Sequence, residues 1–87
     1  MANIKITMFT TPTCGGCNML KGQIPKSEFA DKFDIQEIGD HNRDFIEENK
    51  INSVPTLYLE VGDSKQFVVG YRPIETIDNL IKEMIIY

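Results

Sequence analysis

The sequence predicts an α/β protein in which helices cover both faces of a four-stranded mixed sheet, a three-layer α/β/α arrangement in the order β-α-β-α-β-β-α. Three observations predict it. A short apolar run from Ile4 to Phe9 passes straight into a helical pattern, as a β-α-β unit begins. Two later apolar runs, Leu57–Val61 and Gln66–Val69, are separated by Gly62-Asp63-Ser64, which is hairpin turn chemistry. The chain then closes on one apolar stripe at helical spacing, formed by Ile74, Ile77, Leu80, Ile81, Met84 and Ile85.

Each element follows from its residues. The Asn3–Phe9 run is nearly continuous in apolar character, which suits a central strand covered on both faces. Pro12 bars regular pairing in the loop that follows, and Gly15-Gly16 open a helix with little side-chain bulk. That helix carries Cys17, Met19, Leu20 and Ile24, with Met8, Met19 and Leu20 as core candidates. Pro25 breaks it, because an interior proline costs about 3 kcal/mol, and a broken helical stretch continues to about residue 32. Asp34–Ile38 alternates polar and apolar, as a strand near a sheet edge does. Gly39-Asp40-His41-Asn42 is a turn offering several caps to a short helix with Phe45 and Ile46 inward. A β-α-β crossover is right-handed and makes its strands parallel, while the terminal hairpin adds antiparallel strands.

Composition bounds the function. The chain has 87 residues and a formal net charge of −4, with a pI near 4.8. We read it as a single domain spanning 1–87 with one modest core. The acidic balance argues against nucleic acid or an anionic membrane as partner. No apolar run approaches the roughly 20 residues of a membrane span. Met1-Ala2-Asn3-Ile4-Lys5 enters a strand pattern without a signal-peptide core, so a cytoplasmic location is expected.

Both cysteines of the chain, Cys14 and Cys17, sit at the junction between the first strand and the first helix. A C-x-x-C in that position is a redox signature. A helix N-terminus offers free backbone N–H groups and about half a positive charge, which favour thiolate over thiol. Such placement can lower a cysteine pKa from about 8.5 to about 3.5–7.5. Cys14 is therefore expected to be the exposed attacking sulfur, with Cys17 one turn further in and able to close a disulfide with it. A structural staple over so few residues would constrain little of the unfolded chain. A zinc site needs about four ligands, and only Cys14, Cys17 and His41 are on offer. The expected cycle needs no metal or organic cofactor. Cys14 attacks a protein disulfide to form a mixed disulfide, and Cys17 then displaces the reduced product.

Cys14-Gly15-Gly16-Cys17 after the first strand, Val54-Pro55-Thr56 at the start of the third and Val69-Gly70 at the end of the fourth together resemble the thioredoxin–glutaredoxin superfamily. The likeness covers essentially the whole chain, at the compact length of a glutaredoxin. It implies a thioredoxin fold and a cis peptide bond before Pro55, facing the cysteines and turning the backbone of Val54 outward. It also implies a substrate groove formed by Pro12, Thr13, Val54 and Pro55, with Gly70 and Tyr71 as the opposite wall.

Departures from the pattern bear on the subclass. Thioredoxins usually carry Trp where Thr13 stands and a buried Asp where Met8 stands, so the proton of Cys17 must leave to water or substrate. Glutathione-binding glutaredoxins usually have a Gly-Gly pair followed by acidic residues where this chain has Val69-Gly70-Tyr71-Arg72-Pro73. That stretch is more similar to the small redoxins that donate electrons to ribonucleotide reductase and take them from thioredoxin reductase. The resemblance thus implies a monomeric dithiol reductase of protein disulfides, recharged by thioredoxin reductase or by glutathione. The alternatives are a glutathione-dependent glutaredoxin and an iron–sulfur-binding redoxin whose cluster would need ligands from outside the chain.

Overall fold

The computed structural model describes residues 3–86; Met1 and Ala2, where the leader reading began, lie outside them. Strand β1 (Ile4–Thr10) leads through a loop to helix α1 (Gly15–Gln23), and β2 (Phe33–Glu37) follows. Helix α2 (Arg43–Glu48) is short, β3 (Thr56–Val61) and β4 (Ser64–Val69) form the hairpin, and α3 (Ile74–Ile86) closes the chain. The sheet order is β2-β1-β3-β4. β1 pairs parallel with β2 and antiparallel with β3, and β4 is antiparallel to β3.

Alternation along the strands sends side chains to two unlike faces. Ile6 and Met8 of β1 and Leu57 and Leu59 of β3 point toward α1 and α3, where they meet Cys17, Leu20, Ile77 and Ile81 in a fully buried core. The other face is covered by α2 and is thinner. Its centre is aromatic: Phe45 of α2 lies 5.6 Å from Phe9 and 5.3 Å from Tyr58, and Tyr58 stacks on Phe67 at 4.7 Å. Such offset and tilted pairs add to simple area burial.

Helix ends follow local chemistry. Pro25 begins a 3₁₀ turn at Ile24–Lys26, and a second 3₁₀ turn spans Ala30–Lys32. The segment between them is held by the buried carboxylate of Asp78 on α3, which accepts from Ser27 Oγ at 2.6 Å and from the Glu28 N–H at 3.1 Å. A continuous helix is excluded there because Pro25 supplies no N–H and Asp78 takes the Glu28 N–H, which a helix would direct to Ile24 O. Helix α2 ends with Lys50 in the left-handed region at φ 54°, the Lys50 N–H bonded to Glu47 O and the Ile51 N–H to Ile46 O. That is a helix-stop motif normally given to glycine.

Two expected core residues are not buried. Met19 is 59 % exposed, because the buried face of α1 follows Cys17, Leu20 and Ile24, and Met19 lies off that phase. Ile85 is 45 % exposed in the last turn of α3, where the stripe of Ile74, Ile77 and Ile81 reaches the end of the core. Among the described residues, no helix is long and apolar enough to cross a membrane.

Candidate active site

The site begins with a turn. The Cys14 N–H donates to Thr11 O at 3.3 Å, closing a four-residue turn with Pro12 at its second position, where a fixed φ suits it. Cys14 then caps α1 in an extended conformation, φ −83° and ψ 111°, and the Asn18 N–H makes the first helical bond to its carbonyl at 3.2 Å. The extended cap swings Cys14 Sγ back over the first turn, where it accepts the Cys17 N–H at 3.0 Å. The two cysteines are joined in a disulfide, with Cα atoms 5.2 Å apart.

Their exposure is unequal. Cys14 is half-buried, whereas Cys17 is 0 % exposed and lies in the apolar core. One sulfur can therefore be reached from solvent and the other only through it. Met8 is fully buried among apolar side chains. Asp78 is the buried carboxylate among the described residues, and its oxygens are occupied by Ser27 and Glu28. Among the described residues no cluster of three His, Cys, Asp or Glu side chains could hold a metal ion.

The loop before β3 and the loop after β4 meet beside the disulfide. The Val54–Pro55 peptide bond is cis. Pro55 is buried, and the hydroxyl of Thr56 donates to Ser53 O at 2.6 Å, pinning the loop from its far side. The Gly70 N–H donates to Pro55 O at 2.9 Å, and Gly70 takes φ +84°, a conformation that side chains other than glycine rarely accept. Gly16 brings α1 against both loops: a Cβ there would stand 3.4 Å from Pro55 Cδ and 3.5 Å from Tyr71 Cβ. Val54 and Tyr71 are half-buried and pack, like Cys14, against the edge of the core. Pro12 and Thr13 are exposed on the turn leading into Cys14. His41 is exposed near α2 and lines a separate cavity of about 250 Å³ with Phe45, Tyr58 and Glu60.

The thioredoxin family model matches residues 2–83. This chain belongs to the thioredoxin family. With its Cys14–Cys17 disulfide it is a thiol–disulfide oxidoreductase. Thioredoxin f2 of Chlamydomonas reinhardtii is similar in structure, with a TM-score of 0.76 at 18 % identity over 97 % of this chain and 81 % of that one. Thioredoxin O1 of Arabidopsis thaliana, in its oxidised state, gives a TM-score of 0.70 at 25 % identity over 92 % of this chain and 76 % of the other. A thioredoxin mutant from Halobacterium salinarum gives 0.71 at 24 % identity, over 92 % and 73 %. No curated protein matches the sequence.

Within this thioredoxin-family site, sequence reasoning missed Gln23. Its amide donates to Tyr71 Oη and accepts the Ile74 N–H at 2.9 Å. The available signal was spacing: Gly16, Leu20 and Gln23 fall at i, i+4 and i+7 on one face of α1.

Proposed function

We propose that this protein reduces protein disulfides with Cys14 as the attacking sulfur and Cys17 as the resolving one. The observation that carries this reading is the pairing of unequal exposure with the Cys17 N–H aimed at Cys14 Sγ. That donor stays in place after reduction and favours an ionised sulfur at the helix N-terminus. The Cys14 thiolate attacks one sulfur of the target disulfide. An S–S bond forms between Cys14 and the target, the target's own S–S bond breaks, and the other target sulfur leaves as a thiolate. Cys17 then loses its proton to water or to that leaving thiolate, attacks Cys14 Sγ and releases the second target thiol. Two electrons pass to the substrate, and the protein is left in the disulfide form described above.

Val54, Pro55, Gly70 and Tyr71, with Pro12 and Thr13, form the groove that holds the target chain in this reading. Supporting it, Val54 makes no backbone hydrogen bond among the described residues, leaving a main-chain donor and acceptor for an extended segment. The electron source is thioredoxin reductase and ribonucleotide reductase is one target, a reading supported by Gly70-Tyr71-Arg72-Pro73, which lacks a second glycine and an acidic pair. The cycle suits a reducing compartment such as the cytosol, where a disulfide is usually catalytic rather than structural.

Two experiments test this. Cys14→Ser abolishes reduction of a model protein disulfide, and Cys17→Ser accumulates a covalent protein–target adduct that dithiothreitol releases; full activity in Cys14→Ser overturns the assignment. The oxidised protein is then reduced by thioredoxin reductase with NADPH or by glutathione. Faster reduction by glutathione would make it glutaredoxin-like in its electron supply.

A further inference from the structure

Tyr71 lies along α1. Its Cβ packs at Gly16, in the first turn next to the cysteines, and its hydroxyl reaches Gln23, the last residue of the same helix. Gly16 allows the close approach at one end, and Leu20, fully buried, lies between the two ends on the same helical face. Gln23 is bonded on both sides. The Ile74 N–H is a donor at the start of α3 with no intrahelical partner, so it takes Gln23 Oε1. The amide NH₂ is thereby turned toward Tyr71 Oη, which accepts from it. Tyr71 joins Gly70, whose N–H is bonded to Pro55 O. A single polar side chain at the far end of α1 thus ties down the loop that reaches back to the cysteines.

We propose that Gln23 is a positioning residue for disulfide exchange: it holds Tyr71 against α1 and so fixes the distance of the Gly70–Tyr71 wall from Cys14 and Cys17. This rests on the reading of that loop as one wall of the substrate groove. A half-buried tyrosine that loses its hydroxyl partner swings toward water to find another. Substrate that must fit between the two loops then binds less well, while Cys14, capped by its own helix turn, keeps its reactivity.

The test compares Gln23→Met, Gln23→Glu, Tyr71→Phe and Tyr71→Ala for KM and kcat with a protein disulfide, for melting temperature, and for Cys14 alkylation by iodoacetamide. Met matches the length of Gln and removes both bonds. Glu keeps both, accepting the Ile74 N–H on one oxygen and the Tyr71 hydroxyl on the other. Gln23→Met raises KM about three- to tenfold, the scale of one misplaced contact, and Tyr71→Phe, which has no hydroxyl to carry to water, raises it less. Gln23→Glu restores KM to within about twofold, and the alkylation rate of Gln23→Met equals that of the parent. Tyr71→Ala separates the two readings, because it removes the wall itself. If Tyr71→Ala raises KM and Gln23→Met leaves it unchanged, Gln23 is not a positioning residue although the groove stands. If Tyr71→Ala leaves KM unchanged, the groove reading fails and takes the proposal with it. A lower melting temperature at unchanged KM, or failure of Gln23→Glu to restore KM, also overturns the proposal.

Discussion

Ser27 and Asp78 are joined by a buried hydrogen bond of 2.6 Å between residues 51 positions apart, and it docks the segment after α1 onto α3. Ser27 Oγ in turn accepts the Phe29 N–H at 3.0 Å, so one carboxylate orders three successive residues. Asp78→Ala leaves a buried hydroxyl and a main-chain N–H without their acceptor. It should cost about 1.5–3 kcal/mol in urea unfolding, and Asp78→Asn less. A loss below about 0.5 kcal/mol would show that water replaces the carboxylate.

Lys50 and Gly15 invite opposite substitutions. Lys50 stands at φ 54° in the stop motif of α2, where glycine carries no steric penalty, so Lys50→Gly should stabilise by about 0.5–1 kcal/mol. Gly15 begins α1 with open space where a Cβ would go and no positive φ, so Gly15→Ala should stabilise by a similar amount, about 0.5–1 kcal/mol. Both are read from urea midpoints at unchanged slope. Destabilisation by either would contradict the backbone assignment at that position.

Phe45 is the hub of the thinner face, tilted against Phe9, Tyr58 and Phe67. It is half-buried, so Phe45→Ala should cost about 2–4 kcal/mol, toward the lower part of the range for buried aromatics. Disulfide reduction per folded molecule should be unchanged, since α2 lies across the sheet from α1. Measuring activity well below the variant's melting temperature separates these two effects.

Much of this was legible in the residues themselves. The Ile4–Phe9 run, the Gly62-Asp63 turn and the Ile74-Ile77-Ile81 stripe each declare their element by local pattern, and the crossover rule makes the first two strands parallel, as β1 and β2 are. Cys14 and Cys17 were legible because a strand-to-helix junction gives two thiols a distinct chemistry. Met19 misled because hydrophobicity was counted without its helical phase. Gln23 and Asp78 were invisible for a different reason: their roles depend on partners about fifty residues away, and no local pattern marks a polar side chain that will be buried against a distant main-chain donor.

The most direct test is the pH dependence of Cys14 alkylation in the reduced protein, followed by mass spectrometry from pH 4 to 9. A Cys14 sulfur that is reachable and held ionised by the helix terminus and the Cys17 N–H should react with a midpoint below about 7.5 and outpace Cys17 throughout. A midpoint at or above about 8.5, the value of an unassisted thiol, or alkylation of Cys17 first, would contradict the account.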